Sequence, residues 1–453
     1  MQQTGTGKAQ LRRPGDGDVA QRPAVIRLVA LAALVVLFDV FRPQIVGIDF
    51  EQAIEIYSPL LRGLLIGIYA LGLCFGLMVP RRFAATLLRA WPVFPVLLLA
   101  ALSAFWSPLP GVTLQKAFAS TATFVLGCGY VAYFGARETL RLVAIVLAIG
   151  ILASALFAFA APEQALHQRT DAFESIHAGV WRGVFYHRVL LGQAAALTCI
   201  TWLFCAGPSL GPLVLRLAIA AVAVLCLVRS ESAGGYAALV IGVAAMAGLR
   251  LLEGAGRSLR GVLLVLGLFF LVPLLLASQA LLAAGIMALG RDLTFTGRWQ
   301  LWVLLIDLAR ENPWLGYGFS AGYQVLRPAI TAMFGYDFVN PHSGYMDILI
   351  GLGVVGLLAA LFVLFVLLRQ SLRLALREDV ARLGALRCMP FAVAVFLIGA
   401  NVVEAMLIES RGFATALLAL TFAAAGDAAR GITATRRRAT GLAVLPILSG
   451  QTR

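Results

Sequence analysis

The chain has 453 residues, of which 61% are hydrophobic and 13% charged, and carries a formal net charge of +14. Soluble domains hold about a quarter charged residues, so this composition excludes a soluble enzyme and makes the membrane the solvent of most of the chain. The positive charge is accounted for by membrane topology and contact with anionic lipid, and nothing in it asks for nucleic acid.

In chain order, residues 1–23 are polar with Gly and Pro and lack the apolar core of a cleavable signal, which predicts a disordered cytoplasmic tail. A spanning helix needs about 20 mostly apolar residues. About twelve such runs follow, near 24–41, 60–79, 88–106, 112–134, 139–161, 189–206, 212–229, 233–251, 261–283, 343–368, 388–408 and 412–428. They predict an all-α integral membrane protein of about twelve transmembrane helices over 24–430, with a large loop between helices 9 and 10. A second cytoplasmic tail, 431–453, follows, in which Leu442 to Leu448 are apolar enough to rest on the membrane surface. No repeat at a fixed period and no soluble domain stand out.

Lys and Arg near helix ends are retained on the cytoplasmic side. With the N-terminus inside, the inner segments hold most of the 36 basic residues, among them Arg81, Arg82, Arg137, Arg250, Arg369, Arg373 and Arg387. Both termini are then cytoplasmic and multiple passes separate them. The six cysteines, Cys74, Cys128, Cys199, Cys205, Cys226 and Cys388, fall inside predicted spans without metal spacing and read as small packing residues.

Two outward connections, 162–188 and 285–342, break the pattern of short loops and hold all four histidines, His167, His177, His187 and His342. In the larger loop, Trp299, Trp302, Val303 and Ile306 are spaced for one helical face, Arg298 opens that helix and Asn312-Pro313 closes it. By composition this is an interfacial helix with an aromatic anchor. Arg182 and Arg188 flank the start of the sixth span, and Arg229-Ser-Glu-Ser232 lies where the seventh and eighth meet outside. Any one of these outward arginines is accounted for by snorkelling at the interface. Together with Arg298 and Arg411 they suggest a cationic pocket for an anion, since Arg suits bidentate phosphate contacts. Asp347 and Glu404 sit near the outer ends of spans, where charge is expensive and marks a function or a buried partner; an arginine tie is the simpler reading of Glu404. His342, just after a proline at the mouth of a helix, either caps and packs or takes a proton from an attacking hydroxyl.

Four blocks carry a resemblance: Thr296-Gly-Arg-Trp-Gln-Leu-Trp302, Asn312-Pro-Trp-Leu-Gly-Tyr-Gly-Phe319, Pro341-His-Ser-Gly-Tyr-Met-Asp347 and Gly351-Leu-Gly-Val-Val-Gly356. In this order they resemble the O-antigen ligase and polysaccharide polymerase superfamily. The upstream Trp181-Arg-Gly-Val-Phe-Tyr-His-Arg-Val-Leu-Leu-Gly192 is similar to the family's Gly-Leu-Phe-x-His-Lys-Asn-x-Leu-Gly stretch, and the likeness spans roughly residues 175–425. Two departures stand out: the family's His-Asn pair is His342-Ser343 here, and its His-Lys-Asn is His187-Arg188-Val189.

The resemblance implies a GT-C-like glycosyltransferase of a bacterial inner membrane, working at the periplasmic face on glycan carried by undecaprenyl diphosphate. It implies inversion at the anomeric carbon with no cofactor, metal or nucleotide. The family's loop histidine falls on His342, its loop arginine on Arg298 and its upstream arginines on Arg182 or Arg188. From these follows the expectation that His342 and Arg298 are catalytic, that Arg182, Arg188 and Arg298 bind the diphosphate, and that Arg229, Asp347, Glu404 and Arg411 are supporting candidates. The acceptor is a growing glycan or lipid A-core, and a flippase and a chain-length regulator are further candidate partners. The His-x-Gly-Tyr-x-Asp form together with Glu404 is closer to exopolysaccharide polymerases than to lipid A-core ligases. A secondary transporter is the reading from another class, although no matched pair of broken helices in two halves supports it.

Overall fold

Proline opens many of the helices, where its missing N–H costs nothing and its fixed φ suits the first turn. It stands at the start of α2 (Pro59–Leu77), α3 (Pro80–Arg89) and α5 (Pro110–Ala160), and near the start of α4 (Phe94–Leu102). The computed structural model describes residues 23–46, 58–171, 175–256, 259, 298–335, 337–377, 383–408 and 412–441. The other elements are α1 (Ala24–Leu37), α6 (Arg188–Ile200, prolonged by a π-helical turn to Cys205), α7 (Leu213–Ser230), α8 (Ala233–Gly254), α9 (Arg298–Ala309), α10 (Gly322–Phe334), α11 (Gly344–Ala375), α12 (Met389–Val403) and α13 (Phe413–Gly441).

The described residues are helical and form no sheet; a single antiparallel bridge joins Leu166 to Trp181. Seven helices are long and apolar enough to cross a membrane, or eight if Pro80–Arg89 and Trp91–Phe105, bent by 53°, make one span. The protein is a multi-pass membrane protein. Four features separate this number from the twelve runs of the sequence. Besides the bent pair, the 51-residue α5 contains Gly135 at φ 78 and ψ 162, a break between the runs expected at 112–134 and 139–161. Ala24–Leu37 and Phe413–Ala429 are shorter apolar helices. The run at 261–283 lies outside the described residues.

α5 forms the centre, packed by α2, α13, α6 and α7. Glycines let the backbones meet, as small residues do where apolar lipid offers no drive for helix association: a Cβ on Gly129 would lie 2.0 Å from the Gly72 carbonyl oxygen. Tyr130, fully buried, donates to the Ala30 carbonyl at 3.0 Å and so ties α1 to this core.

One end of the bundle gathers ion pairs, Arg27 with Glu138, Arg89 with Asp427 and Arg387 with Glu253. The other end carries the 161–187 loop, the α7–α8 turn, α9, α10 and the starts of α6 and α11. There Leu301, Leu305, Tyr323, Leu326, Ile330, Phe338 and Ile350 form a small separate core. The larger loop, described from residue 298 onward, is therefore a packed helical cap, on which the large apolar side chains Trp299, Val303, Ile306, Trp314, Leu315 and Met333 are exposed.

Candidate active site

The backbone on both sides of His342 is held by neighbouring residues. Its backbone sits at φ 50, a left-handed conformation rare for a non-glycine residue and common at functional sites. Its N–H donates to Asn340 Oδ1 at 2.8 Å, which closes the Asn-Pro-His turn. Before it, the Pro341 carbonyl accepts from Trp302 Nε1 at 2.9 Å. After it, Ser343 Oγ donates to the Asn401 carbonyl at 3.2 Å, and the Gly344 N–H donates to the Glu404 carbonyl at 2.9 Å. The half-buried imidazole meets the Phe338 ring edge-on, centroids 6.1 Å apart.

Arg298 reaches the same anchor. Its Nη1 donates to the Val403 carbonyl at 3.1 Å, and its Nη2 lies 3.8 Å from Glu404 Oε1, with the side chains 27% and 16% exposed. The arginine tie expected for Glu404 is thus present, and its partner is Arg298. Arg298 and Trp302 stand one turn apart on α9, so a single rigid helix holds both the guanidinium and the loop of His342. The end of α12 receives both.

The two glycine-rich blocks form one unit. The Tyr317 and Gly318 N–H groups donate to the Ile350 and Gly351 carbonyls at 2.9 and 2.8 Å, and the Val354 N–H donates to the Pro313 carbonyl at 2.8 Å. This pairing occupies a break in α11 at Gly353, φ 65. A Cβ on Gly316 would lie 2.5 Å from the Ile350 oxygen, and one on Gly353 2.3 Å from Trp314 backbone atoms, so glycine is required on both sides of the contact. Phe319 N–H then donates to Ser103 Oγ at 3.0 Å and Trp106 Nε1 to the Leu315 carbonyl at 3.2 Å, seating the cap on the bundle.

The upstream arginines have separate surroundings. Arg182 is buried: Nη1 lies 3.1 Å from Asp171 Oδ2 and Nε donates to the Gln164 carbonyl at 3.2 Å. Asp171 also meets His167 Nδ1 at 3.2 Å. Arg182 therefore braces the 161–187 loop. Arg188, half-buried at the start of α6, donates from Nη1 to the Glu231 carbonyl at 2.8 Å and faces His177 Nε2 from Nη2 at 3.0 Å. A guanidinium only donates, so that His177 nitrogen is the acceptor. His187 caps α6 by accepting the Val189 N–H at 3.1 Å on Nδ1. The rings of His167 and His187 lie 5.5 Å apart and those of His167 and His177 6.4 Å. Three of the four loop histidines thus cluster around the two upstream arginines, apart from His342.

Arg229 stacks its guanidinium over Trp181 at 5.3 Å, and its carbonyl accepts the Trp181 N–H at 3.0 Å. Asp347 lies in the first turn of α11. Arg411 lies outside the described residues. Beyond these, Asp337 accepts from Arg327 Nε at 2.8 Å and from Thr331 at 3.2 Å, and the Arg327 guanidinium holds its carboxyl below the usual range. This pair pins the loop that leads into the Asn-Pro-His turn.

Sequence reasoning passed over Trp302 as a tether, Asn340 as an acceptor, and Asp171, Glu231 and Asn401 as partners. Only Asn340 carried a local signal, an Asx side chain two residues before a backbone N–H it can cap.

Residues 218–361 match the Wzy_C family model, described as O-antigen ligase. No curated protein matches the chain. The chain thus carries a Wzy_C O-antigen ligase family domain running from within α7 into α11, which includes Arg229, Arg298, His342 and Asp347 and leaves Arg182, Arg188, Glu404 and Arg411 outside. The family's members are glycan-transferring enzymes of the O-antigen ligase and polysaccharide polymerase type.

Proposed function

We propose that this protein, with its O-antigen ligase family domain, is a polysaccharide polymerase that transfers undecaprenyl-diphosphate-linked glycan to an acceptor sugar hydroxyl at the periplasmic face of a bacterial inner membrane. One observation carries the reading: Arg298 and the His342 loop, separated by more than forty residues, are anchored to the same helix end at Val403 and Glu404. A general base and a phosphate-binding guanidinium must be held in fixed relation for such a transfer.

In this mechanism the acceptor hydroxyl oxygen attacks the anomeric carbon and gives its proton to His342. The bond from that carbon to the diphosphate oxygen breaks, and the lipid diphosphate leaves with the electron pair, its charge held by Arg298 and Arg188. The sugar inverts. Arg182 shapes the loop through Asp171, and Glu404 holds Arg298 in place until the donor arrives. The positive-inside rule places this end of the bundle outward. The twelve spans proposed over 24–430 count the bent pair, each side of the Gly135 break and the two shorter helices as spans, and keep the run at 261–283 from the sequence reading alone.

Transfer to lipid A-core is the second reading, supported by the description of the matching family model. The test is incubation of the purified protein with undecaprenyl-diphosphate-linked repeat units, with and without lipid A-core, resolving products by gel and mass spectrometry. A ladder without lipid A-core supports the polymerase. Transfer only in its presence makes the protein a ligase, and no transfer to either sends the reading to transport. His342→Ala and Arg298→Ala should abolish polymer while the protein stays in the membrane; normal polymer from either variant refutes the assigned site.

A further inference from the structure

α8 carries two glycines, Gly234 and Gly235, in its first turn, over a buried amide. Ser232 caps the helix by accepting the Gly235 N–H at 3.1 Å. The N–H groups of Ala233 and Gly234 have no carbonyl within the helix to bond, and the helix dipole makes this end favourable to anions. Beneath it lies Gln193 of α6, fully buried, with neither its carboxamide nitrogen nor its oxygen hydrogen-bonded. Buried polar groups are nearly always paired, and each exception calls for a reason.

The packing explains how this amide comes to be there. α6 abuts the α7–α8 turn through Gly192, where a Cβ would lie 2.3 Å from Ser232 Cβ, and through Gly235, where one would lie 2.7 Å from the Gly192 carbonyl carbon. Gln193 is thereby brought beside half-exposed Gly234: a Cβ there would lie 3.6 Å from Gln193 Nε2 and 3.6 Å from Val403 Cγ2. The absent side chain leaves a notch the size of one methyl group. Val403 is the residue whose carbonyl holds Arg298, and Glu231, two residues before α8, is the one whose carbonyl holds Arg188.

We propose that this notch, formed by the N-terminus of α8 and Gln193, is a subsite for a phosphate oxygen of the lipid-linked donor, set between the partners of Arg188 and Arg298; the proposal rests on the transfer reading above. Backbone N–H groups at a helix start and an amide N–H are donors, which suits an acceptor-only anionic oxygen better than a hydroxyl. Gln193 here binds substrate and takes no proton.

The decisive variant is Gly234→Ala in the full-length purified protein. The added methyl meets its neighbours at ordinary contact distance, and alanine favours a helix over glycine, so the thermal midpoint should hold or rise. The same methyl fills the notch, so KM for the lipid-linked donor should rise about ten-fold, as expected when a hydrogen bond to a charged group is lost, with kcat changing less. Gln193→Leu should behave alike, raising KM without lowering the midpoint, because it removes an unpaired buried amide. An unchanged donor KM in both variants overturns the subsite and leaves Gln193 a packing residue. If the wild-type protein transfers nothing, inorganic diphosphate decides. A midpoint rise in wild type that is lost in Gly234→Ala supports the subsite; equal responses, or none in wild type, overturn it.

Discussion

Trp302→Phe tests whether the position of His342 depends on α9. The substitution keeps an aromatic ring on the helix and removes one donor, the indole N–H that reaches the Pro341 carbonyl at 2.9 Å. Pro341 is buried, and leaving a buried acceptor unsatisfied costs about 1–3 kcal/mol. At about 1.4 kcal/mol per factor of ten in rate, that predicts a fall of roughly ten-fold to a hundred-fold in kcat if the carbonyl's misplacement is passed to the adjacent imidazole. Donor KM should move little, because Arg298 keeps its own contacts to Val403 and Glu404. Trp299→Phe is the internal control: its side chain is 70% exposed on the same helix, and it should leave kcat unchanged. The assay is polymerisation by purified protein at saturating donor, read as initial rate. Equal rates for Trp302→Phe and Trp299→Phe would refute the tether, and a rise in KM at constant kcat would assign Trp302 to donor binding instead.

Gly316→Ala should destabilise the protein by about 3 kcal/mol or more, since a left-handed backbone and a Cβ 2.5 Å from a carbonyl oxygen act together; Gly335→Ala, at φ +73 with nothing within 4 Å, should cost about 1 kcal/mol. Thermal midpoints of the two variants compare steric with conformational cost directly. Asp171→Asn removes one partner of a buried pair whose side chains are 10% and 4% exposed, and should cost about 3 kcal/mol and open the 161–187 loop to limited proteolysis. Asp337 has a folded-state pKa below its ordinary value of 3.8, chiefly through the Arg327 hydrogen bonds. Its stabilisation is therefore full above that ordinary value and lost as pH falls through the lower folded one. The difference in midpoint between wild type and Asp337→Asn should be constant near neutral pH and shrink only in acid; a difference that grows in acid would refute the ion pair.

The membrane class, the positions of most spans and the family blocks were legible in the chain itself, because hydropathy, proline punctuation and the order of motifs are local properties. A run such as Leu213–Ser230 declares its solvent whatever its neighbours are. Glu404's need for a cationic partner was legible for the same reason. Which arginine answers it was not: Arg298 lies over a hundred positions away, and only the tertiary placement of the start of α9 beside the end of α12 brings the two within 3.8 Å. Tertiary structure likewise gave Arg182 to Asp171, separated the histidine cluster from His342, and joined two glycine blocks into one backbone pairing. Gln193 made no mark within an apolar run, since an unpaired amide is defined by what its neighbours fail to offer. Sequence determines what each segment can tolerate; contact between distant segments determines which groups meet, because hydrogen bonds and ion pairs act over a few ångströms and hydropathy carries no information about partners.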